Sequence, residues 1–382
     1  MEAALRENLT ERGELGSAVT VSVAGRVVVD LWCGWADRER SRRWEADTVV
    51  NVYSVGKAMA GLCVLMLLSR RLLELDAPVA EHWPEFAQAG KGQVTVRQLL
   101  SHQAGLAAIE RELPDGSLYD WAQVTDALAE QRPWWTPGEG HGYHVHTFGF
   151  LLGELVRRVA GETIGSFLRR EVAKPLDADV SYGLARSEWD RCADYLFDSR
   201  IVSSGDGGGR VEEEGVGVAP SEGDARLKML AYLNPPGANG IDTVNSASWR
   251  EAELPSANMH ANARGIARVY AALLDGGAPV DGTPLVDREV LAQATSEMAA
   301  GEDLVLGRRS RFGLGFQLSQ PERPLGPNGG SFGHFGAGGS LGFADPAAEL
   351  AFAYVTNRGG PQWQDPRNRA LIDAVYEALA DG

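Results

Sequence analysis

Lysine is scarce in this chain. Only Lys57, Lys91, Lys174 and Lys228 occur, and arginine supplies the rest of the positive charge. Cysteine is scarcer still. Cys33, Cys63 and Cys192 are too few and too scattered for a disulfide framework or for metal-ligand spacing. Cys63 sits in an apolar run and reads as a buried core thiol. No hydrophobic run is long enough to cross a bilayer, which needs about 20 residues. The longest, residues 58–68, stops well short. The N-terminus has no basic segment followed by an apolar one, so a cytoplasmic protein is the expectation.

What is present is an ordinary globular composition. Of its 382 residues, 44% are hydrophobic and 23% charged, enough for one large core or two subdomains. The net charge of -16 disfavours nucleic acid and anionic membranes as partners. It places no limit on a small neutral substrate. Where arginine is the habit, a lysine invites attention, because lysine can lose its proton when desolvated and arginine effectively cannot.

Periodicity predicts a helix over residues 2–13 and a hairpin over 18–23 and 26–32, with a third strand at 49–52. Residues 54–73 are apolar on nearly all faces and predict a buried helix. Helical stretches follow at 96–101, 121–131, 147–159 and 164–172. Residues 203–218 are Gly-rich and acidic and read as a mobile surface loop. A helix at 261–274, strands at 312–318, 340–343 and 350–356, and a helix at 367–380 complete the order. Strands from both ends of the chain can join one antiparallel sheet flanked by helices. The expected architecture is α+β, with a helical subdomain beside the sheet. The sheet subdomain is discontinuous, over residues 1–76 and 257–382, and the mainly helical one covers 77–256. The site is expected at their interface.

The strongest chemical signal is Ser54-Val55-Gly56-Lys57. On a helix, i and i+3 share a face. A desolvated lysine there can accept the serine proton, and a helix N-terminus offers free N–H groups beside the seryl oxygen. As a bare pattern it also fits a helix-capping serine with a solvated lysine.

Downstream stand Leu75-Asp76-Ala77-Pro78-Val79, Trp83-Pro84-Glu85-Phe86 and residues 94–106, Val-Thr-Val-Arg-Gln-Leu-Leu-Ser-His-Gln-Ala-Gly-Leu. In order and spacing these resemble the serine β-lactamase-related family, which includes class C β-lactamases, D-peptidases and family VIII carboxylesterases. The resemblance runs from about Ser54 to Asn357. It implies a β-lactamase/transpeptidase-like fold with Ser54 as nucleophile and Lys57 as its activating partner. Tyr143-His144-Val145 resembles the family's Tyr-x-Asn, which implies that Tyr143 joins the proton transfer. His334-Phe335-Gly336-Ala337 falls at the family's Lys-Thr-Gly strand. That implies an oxyanion hole from the N–H groups of Ser54 and Ala337, and substrate contacts from His334 and Gly336.

Two departures matter. Val145 stands where the family has asparagine, and His334 where it has lysine. Neither suits an anionic lactam, so a small-molecule carboxylic ester is the expected substrate, cleaved through an acyl-enzyme. An amide or β-lactam hydrolase or an acyltransferase on the same residues is the alternative. A non-catalytic ligand-binding protein of the same fold is the second. No metal or cofactor is called for. Trp134 and Trp135 either wall an acyl pocket or pack the subdomain. His141, His144 and His146 share a loop but lack a carboxylate at ligand spacing. Two Gly-x-Ser-x-Gly stretches centre on Ser331 and Ser340. That motif needs a strand, a sharp turn and a helix to act, and both read as glycine-rich turns.

Overall fold

The computed structural model describes residues 1–197, 222–274, 283–360 and 365–380. The loop expected over 203–218 lies outside them. The chain opens with helix α1 (Glu2–Thr10) and a hairpin of β1 (Gly16–Val23) and β2 (Arg26–Gly34). It then enters the central helix α2 (Val55–Ser69). Helix α3 (Thr147–Ala160) belongs to the helical stretch that follows. Helix α4 (Ala263–Leu274) returns the chain to the sheet, which is completed by β3 (Ala299–Glu302), β4 (Arg309–Phe312), β5 (Gln317–Leu318), β6 (Phe332–Phe335), β7 (Leu341–Asp345) and β8 (Leu350–Thr356). Helix α5 (Pro366–Ala380) ends the described chain.

Among the described residues these strands form one eight-stranded sheet in the order β2-β1-β8-β7-β6-β5-β4-β3, with antiparallel neighbours. Ser17 pairs with Thr356 and Val23 with Leu350, so strands from the two ends of the chain lie side by side in it, one strand in from the β2 edge. The period-2 alternation of strands sorts the side chains. Leu350, Phe352 and Tyr354 of β8 join Val19, Val21, Leu341 and Phe343 on the face covered by Leu5 of α1 and by Leu371, Ile372 and Val375 of α5. Ala351, Ala353 and Val355 point the other way, against Ile266, Val269 and Tyr270 of α4. Small residues on that face let α4 lie close.

From Val55 to Leu68 every residue of α2 is buried. A helix apolar on all sides needs such a place. A three-stranded ribbon (Val50–Asn51, His260–Ala261 and Val180–Ser181) clamps the segment leading into α2.

One predicted strand is divided. Residues 312–318 do not run straight: Gly313 N–H bonds Phe316 O, and the turn splits β4 from β5. An apolar run with two glycines reads like a strand but folds as a tight hairpin. The predicted helix 164–172 is α-helical over Ile164–Leu168 and widens to π geometry over Arg169–Ala173.

Candidate active site

Ser54 is the N-cap of α2. Tyr53 before it holds a positive φ of 49°, a strained state for a bulky residue and one that clusters at functional sites. Aromatic packing keeps it there: its ring meets Tyr195 edge-on at 5.0 Å, with Phe197 and Trp249 at 6.4 Å. Trp249 Nε1 in turn donates to Asn51 Oδ1 at 3.0 Å. The sharp turn puts the Ser54 hydroxyl at the mouth of a buried helix, whose first N–H groups, those of Val55, Gly56 and Lys57, turn back onto Val52 O, Tyr53 O and Ser54 O.

Lys57 lies one turn deeper. Its Nζ is 3.0 Å from Ser54 Oγ and donates to Ser256 O, also at 3.0 Å. Burial drives its pKa well below the usual lysine value. Lys91 offers a contrast. It too is buried, but it donates to three carbonyls, those of Gln88, Ala129 and Gln131. Carbonyls only accept, so Lys91 has use for all three ammonium protons. Burial still lowers its pKa to about 8. Lys57 has one carbonyl and one hydroxyl, and a hydroxyl can donate as well as accept. A neutral Lys57 satisfies both partners and leaves its lone pair facing the Ser54 proton.

Tyr143 completes the cluster. Lys57 Nζ sits 4.9 Å from its ring centroid, and the ring stacks on Phe312 at 6.0 Å. Burial pushes its phenol up, opposed by the Ser54 side chain beside it. The phenol therefore stays protonated. Asp303 fixes the backbone here: its carboxylate accepts the Tyr143 N–H at 3.0 and 3.1 Å, those of Val305 and Leu306 at 2.9 Å, and the Ser310 hydroxyl at 2.8 Å.

The second side of the site is the turn after β6. A Cβ on Gly336 would fall 2.3 Å from Val52 O, so only glycine lets this turn reach the nucleophile segment. Ala337 opens the 3-10 turn Ala337–Gly339, which makes its N–H one of the orphan donors of a helix start. Gly338 and Gly339 have φ of 80° and 114°, and a Cβ on them would fall 2.0 Å from Tyr195 Oη and 2.5 Å from Asp365 Oδ2. The second Gly-x-Ser-x-Gly stretch is thus explained by this turn. Ser340 Oγ accepts from Thr356 N–H at 3.3 Å, and Ser331 Oγ donates to Asn328 O at 3.0 Å. Both serines are buried and neither starts an α-helix.

His334 on β6 faces this cluster, 6.0 Å from the Tyr143 ring. Its Nδ1–H donates to Phe335 O at 2.6 Å. A carbonyl only accepts, which assigns the tautomer and leaves Nε2 as a lone-pair acceptor with no partner among the described residues. Burial, then the nearby Lys57, hold its pKa at about 3. The position is neutral. Val145, Trp134 and Trp135 fall in one apolar cluster with Tyr143, Ala107, Ala108 and Phe312. Trp134 Nε1 donates to Ala108 O at 2.8 Å and Trp135 Nε1 to Gly140 O at 3.0 Å.

Two of the three loop histidines, His141 and His144, are tied to neighbouring segments. His144 Nε2 accepts from Leu106 N–H at 3.1 Å while its Nδ1–H donates to Gly142 O. His141 pairs with Ser310 Oγ at 2.9 Å. Among the described residues no group of three potential ligands gathers tightly enough for a metal ion. No helix among them is long and apolar enough to cross a membrane.

Reasoning from sequence missed Ser256, Asp303, Tyr195, Arg367 and Asn368. None of them lies in a motif, and each reaches the site from a distant segment.

The eight-stranded sheet between helices, with a serine and a lysine on the first turn of a buried helix, defines the β-lactamase/transpeptidase-like fold. The chain belongs to the beta-lactamase family, whose model matches residues 1–377. It is 33% identical to "Esterase/beta-lactamase LipL" of Mycobacterium tuberculosis, over 90% of this chain and 77% of that protein. To "Esterase EstB" of Burkholderia gladioli it is 28% identical, over 98% and 94%. A solved family VIII carboxylesterase superposes with a TM-score of 0.87 at 38% identity, covering 99% of this chain and 96% of the other. A penicillin-binding protein homologue from Caulobacter crescentus gives 0.86 at 38%, with the same coverage. In class, the protein is a serine hydrolase.

Proposed function

We propose that the protein is a carboxylesterase working through an acyl-enzyme on Ser54. The carrying observation is the buried Lys57 amine 3.0 Å from Ser54 Oγ, with a single carbonyl as its other partner. Neutral Lys57 takes the seryl proton as Oγ bonds to the ester carbon. The carbonyl electron pair moves onto oxygen, where the Ser54 and Ala337 N–H groups receive it. Lys57 and the protonated Tyr143 return a proton to the alcohol oxygen as the carbon–oxygen bond breaks. Water then attacks the acyl-Ser54 by the same route and releases the acid. No metal or cofactor enters this scheme. The pKa values of lysine and tyrosine are pushed apart, which assigns the base role to Lys57 and the acid role to Tyr143.

The preference for esters over lactams rests on His334 and Val145. A neutral acceptor at His334 gives a substrate carboxylate nothing to bind, and Val145 has no amide. Trp134, Trp135 and Val145 would wall the acyl side, while His334 and Gly336 line the opposite one. The residue 77–256 stretch, with Tyr143, would form one lip and the sheet subdomain the other. Cytoplasmic location is part of the same proposal. Mass spectrometry after exposure to a p-nitrophenyl ester and to nitrocefin tests it. The expected result is an acyl adduct on Ser54, fast ester turnover and nitrocefin turnover at least 100-fold slower. An adduct elsewhere, or faster nitrocefin turnover, overturns it. In the same assay His334→Lys is expected to improve kcat/KM for a carboxylate-bearing ester about 10-fold relative to its neutral counterpart.

A further inference from the structure

The turn that carries Ala337 is gripped from behind, and each of its three carbonyls is held by a different side chain. Tyr195 Oη–H donates to Ala337 O at 3.1 Å. Arg367 Nη2 donates to Gly338 O at 2.9 Å. Asn368 Nδ2 donates to Gly339 O at 2.9 Å. All three residues are buried. Arg367 is itself held by Asp365 at 2.6 Å and by Arg358 O at 2.8 Å. Arg367 and Asn368 belong to the first turn of α5, which packs on the sheet face opposite α4.

A peptide plane rigidly joins a carbonyl to the N–H of the next residue, which leaves only φ and ψ of Ala337 as soft dihedrals between its own N–H and carbonyl. Holding three successive carbonyls on one side, with Gly336 N–H bonded to Ser340 O at 2.7 Å on the other, restricts the direction of the Ala337 N–H. Tyr195 does more, because its ring also packs at 5.0 Å on Tyr53, the strained residue before Ser54. One side chain therefore touches both sides of the site, the Ala337 carbonyl through its hydroxyl and the side chain of Tyr53, the residue before Ser54, through its ring.

We propose that Tyr195 is a positioning residue that sets the spacing between the Ser54 and Ala337 N–H groups, with Arg367 and Asn368 of the terminal helix as its backing. The proposal rests on the esterase reading and deepens it. None of the three touches substrate. They act by holding donors where the carbonyl oxygen will carry charge, and displacement of about 1 Å in such a group can cost about 100-fold in rate.

The test compares an ester with its thionoester, in which sulfur replaces the carbonyl oxygen. Sulfur is larger and a weaker acceptor, so a well-set hole prefers oxygen strongly and a slack one does not. Tyr195→Phe removes the hydrogen bond to Ala337 O and Asn368→Leu the one to Gly339 O, and both keep the packing volume nearly constant. Both are expected to lower kcat on the ester about 10- to 100-fold with KM little changed, and to shrink the oxygen-over-sulfur preference about 10-fold. Tyr376→Phe is the control. It lies on the same helix, bonds Asp345 rather than the turn, and should leave the preference intact. If both turn variants fold and discriminate as sharply as the wild type, the positioning role is wrong and the esterase reading survives. If Ser54→Ala retains ester turnover, the esterase reading falls and this role falls with it.

Discussion

The two halves of the site are built in opposite ways. The proposed nucleophile half, Ser54 and Lys57, comes from four consecutive residues on one helical turn. The proposed oxyanion half is the short turn Ala337–Gly339, held by Tyr195, Gly360, Arg367 and Asn368. Behind these stand Asp365 and Glu14, so residues more than 350 positions apart share one buried network. Helix geometry sets the spacing of the first half. The second exists only when the sheet has closed and both ends of the chain have met. Damage to the first should remove chemistry and spare the fold. Damage to the second should reach both.

Lys57→Met is the sharpest way to test that separation. Loss of the proton acceptor should lower kcat about 10²- to 10⁴-fold. In the wild type, activity should fall as pH drops through the depressed pKa of this amine, because only the neutral form can take the proton. Stability should move the same way. Over the window below the usual lysine pKa of 10.5, the folded chain binds fewer protons than the unfolded one. Wild-type stability therefore climbs as pH rises through that window. Methionine carries no such linkage, so the variant should melt higher than the wild type at neutral pH and lose that slope. Kinetics and thermal unfolding across pH check both. A variant that is inactive and also melts lower would erase the contrast between the halves.

The same contrast explains what the sequence made legible. The buried run after Ser54, the valine-rich hairpin and the strand at β8 are short-range patterns, and each stands where its period predicts. Ser54 and Lys57 could be found because motif spacing carries helix geometry, and Tyr143 through the family resemblance. Ala337 was reachable through the family resemblance, but its supports were not. Arg367 and Asn368 sit in a stretch that reads as an ordinary amphipathic helix start, and Tyr195 follows a segment with no regular period. A hydrogen bond to a carbonyl over a hundred residues away leaves no periodic trace. The split of residues 312–318 was hidden for a related reason: a tight hairpin with apolar strands has the composition of one strand.

Asp303 belongs to neither half by sequence, yet it fixes Tyr143 between them. Its carboxylate receives three backbone N–H groups and one hydroxyl, all buried except the half-buried Leu306. Asp303→Ala strands those donors, at about 1 to 3 kcal/mol for each that finds no new partner. The expected result is a protein about 3 kcal/mol less stable, with kcat reduced about 10-fold as the Tyr143 phenol loses its fixed approach to Ser54. Denaturant unfolding and steady-state kinetics at several pH values check this. Unchanged kcat with lowered stability would show that the loop holds Tyr143 without help.

The far end of the oxyanion network should give the smallest catalytic effect. Glu14 is fully buried beneath β8, where it accepts from the Thr356 hydroxyl at 2.6 Å, bonds Tyr354 and lies 3.3 Å from Arg367 Nη1. Burial raises its carboxyl pKa, and Arg367 opposes this only in part. A carboxyl whose folded pKa is raised gives stability that is present at low pH and lost as pH rises through that value. Above it, the fold must hold a desolvated second carboxylate beside the Arg367–Asp365 pair. Glu14→Gln keeps the shape of the protonated acid and removes the ionisation. It should raise Tm by about 1 to 3 °C at pH 8, match the wild type near pH 4.5, and change kcat less than 2-fold. Melting curves at the two pH values decide it. If the variant melts lower at pH 8, Glu14 is the anion that Arg367 requires, and the grip on the Ala337 turn then depends on charge supplied from the first fifteen residues of the chain.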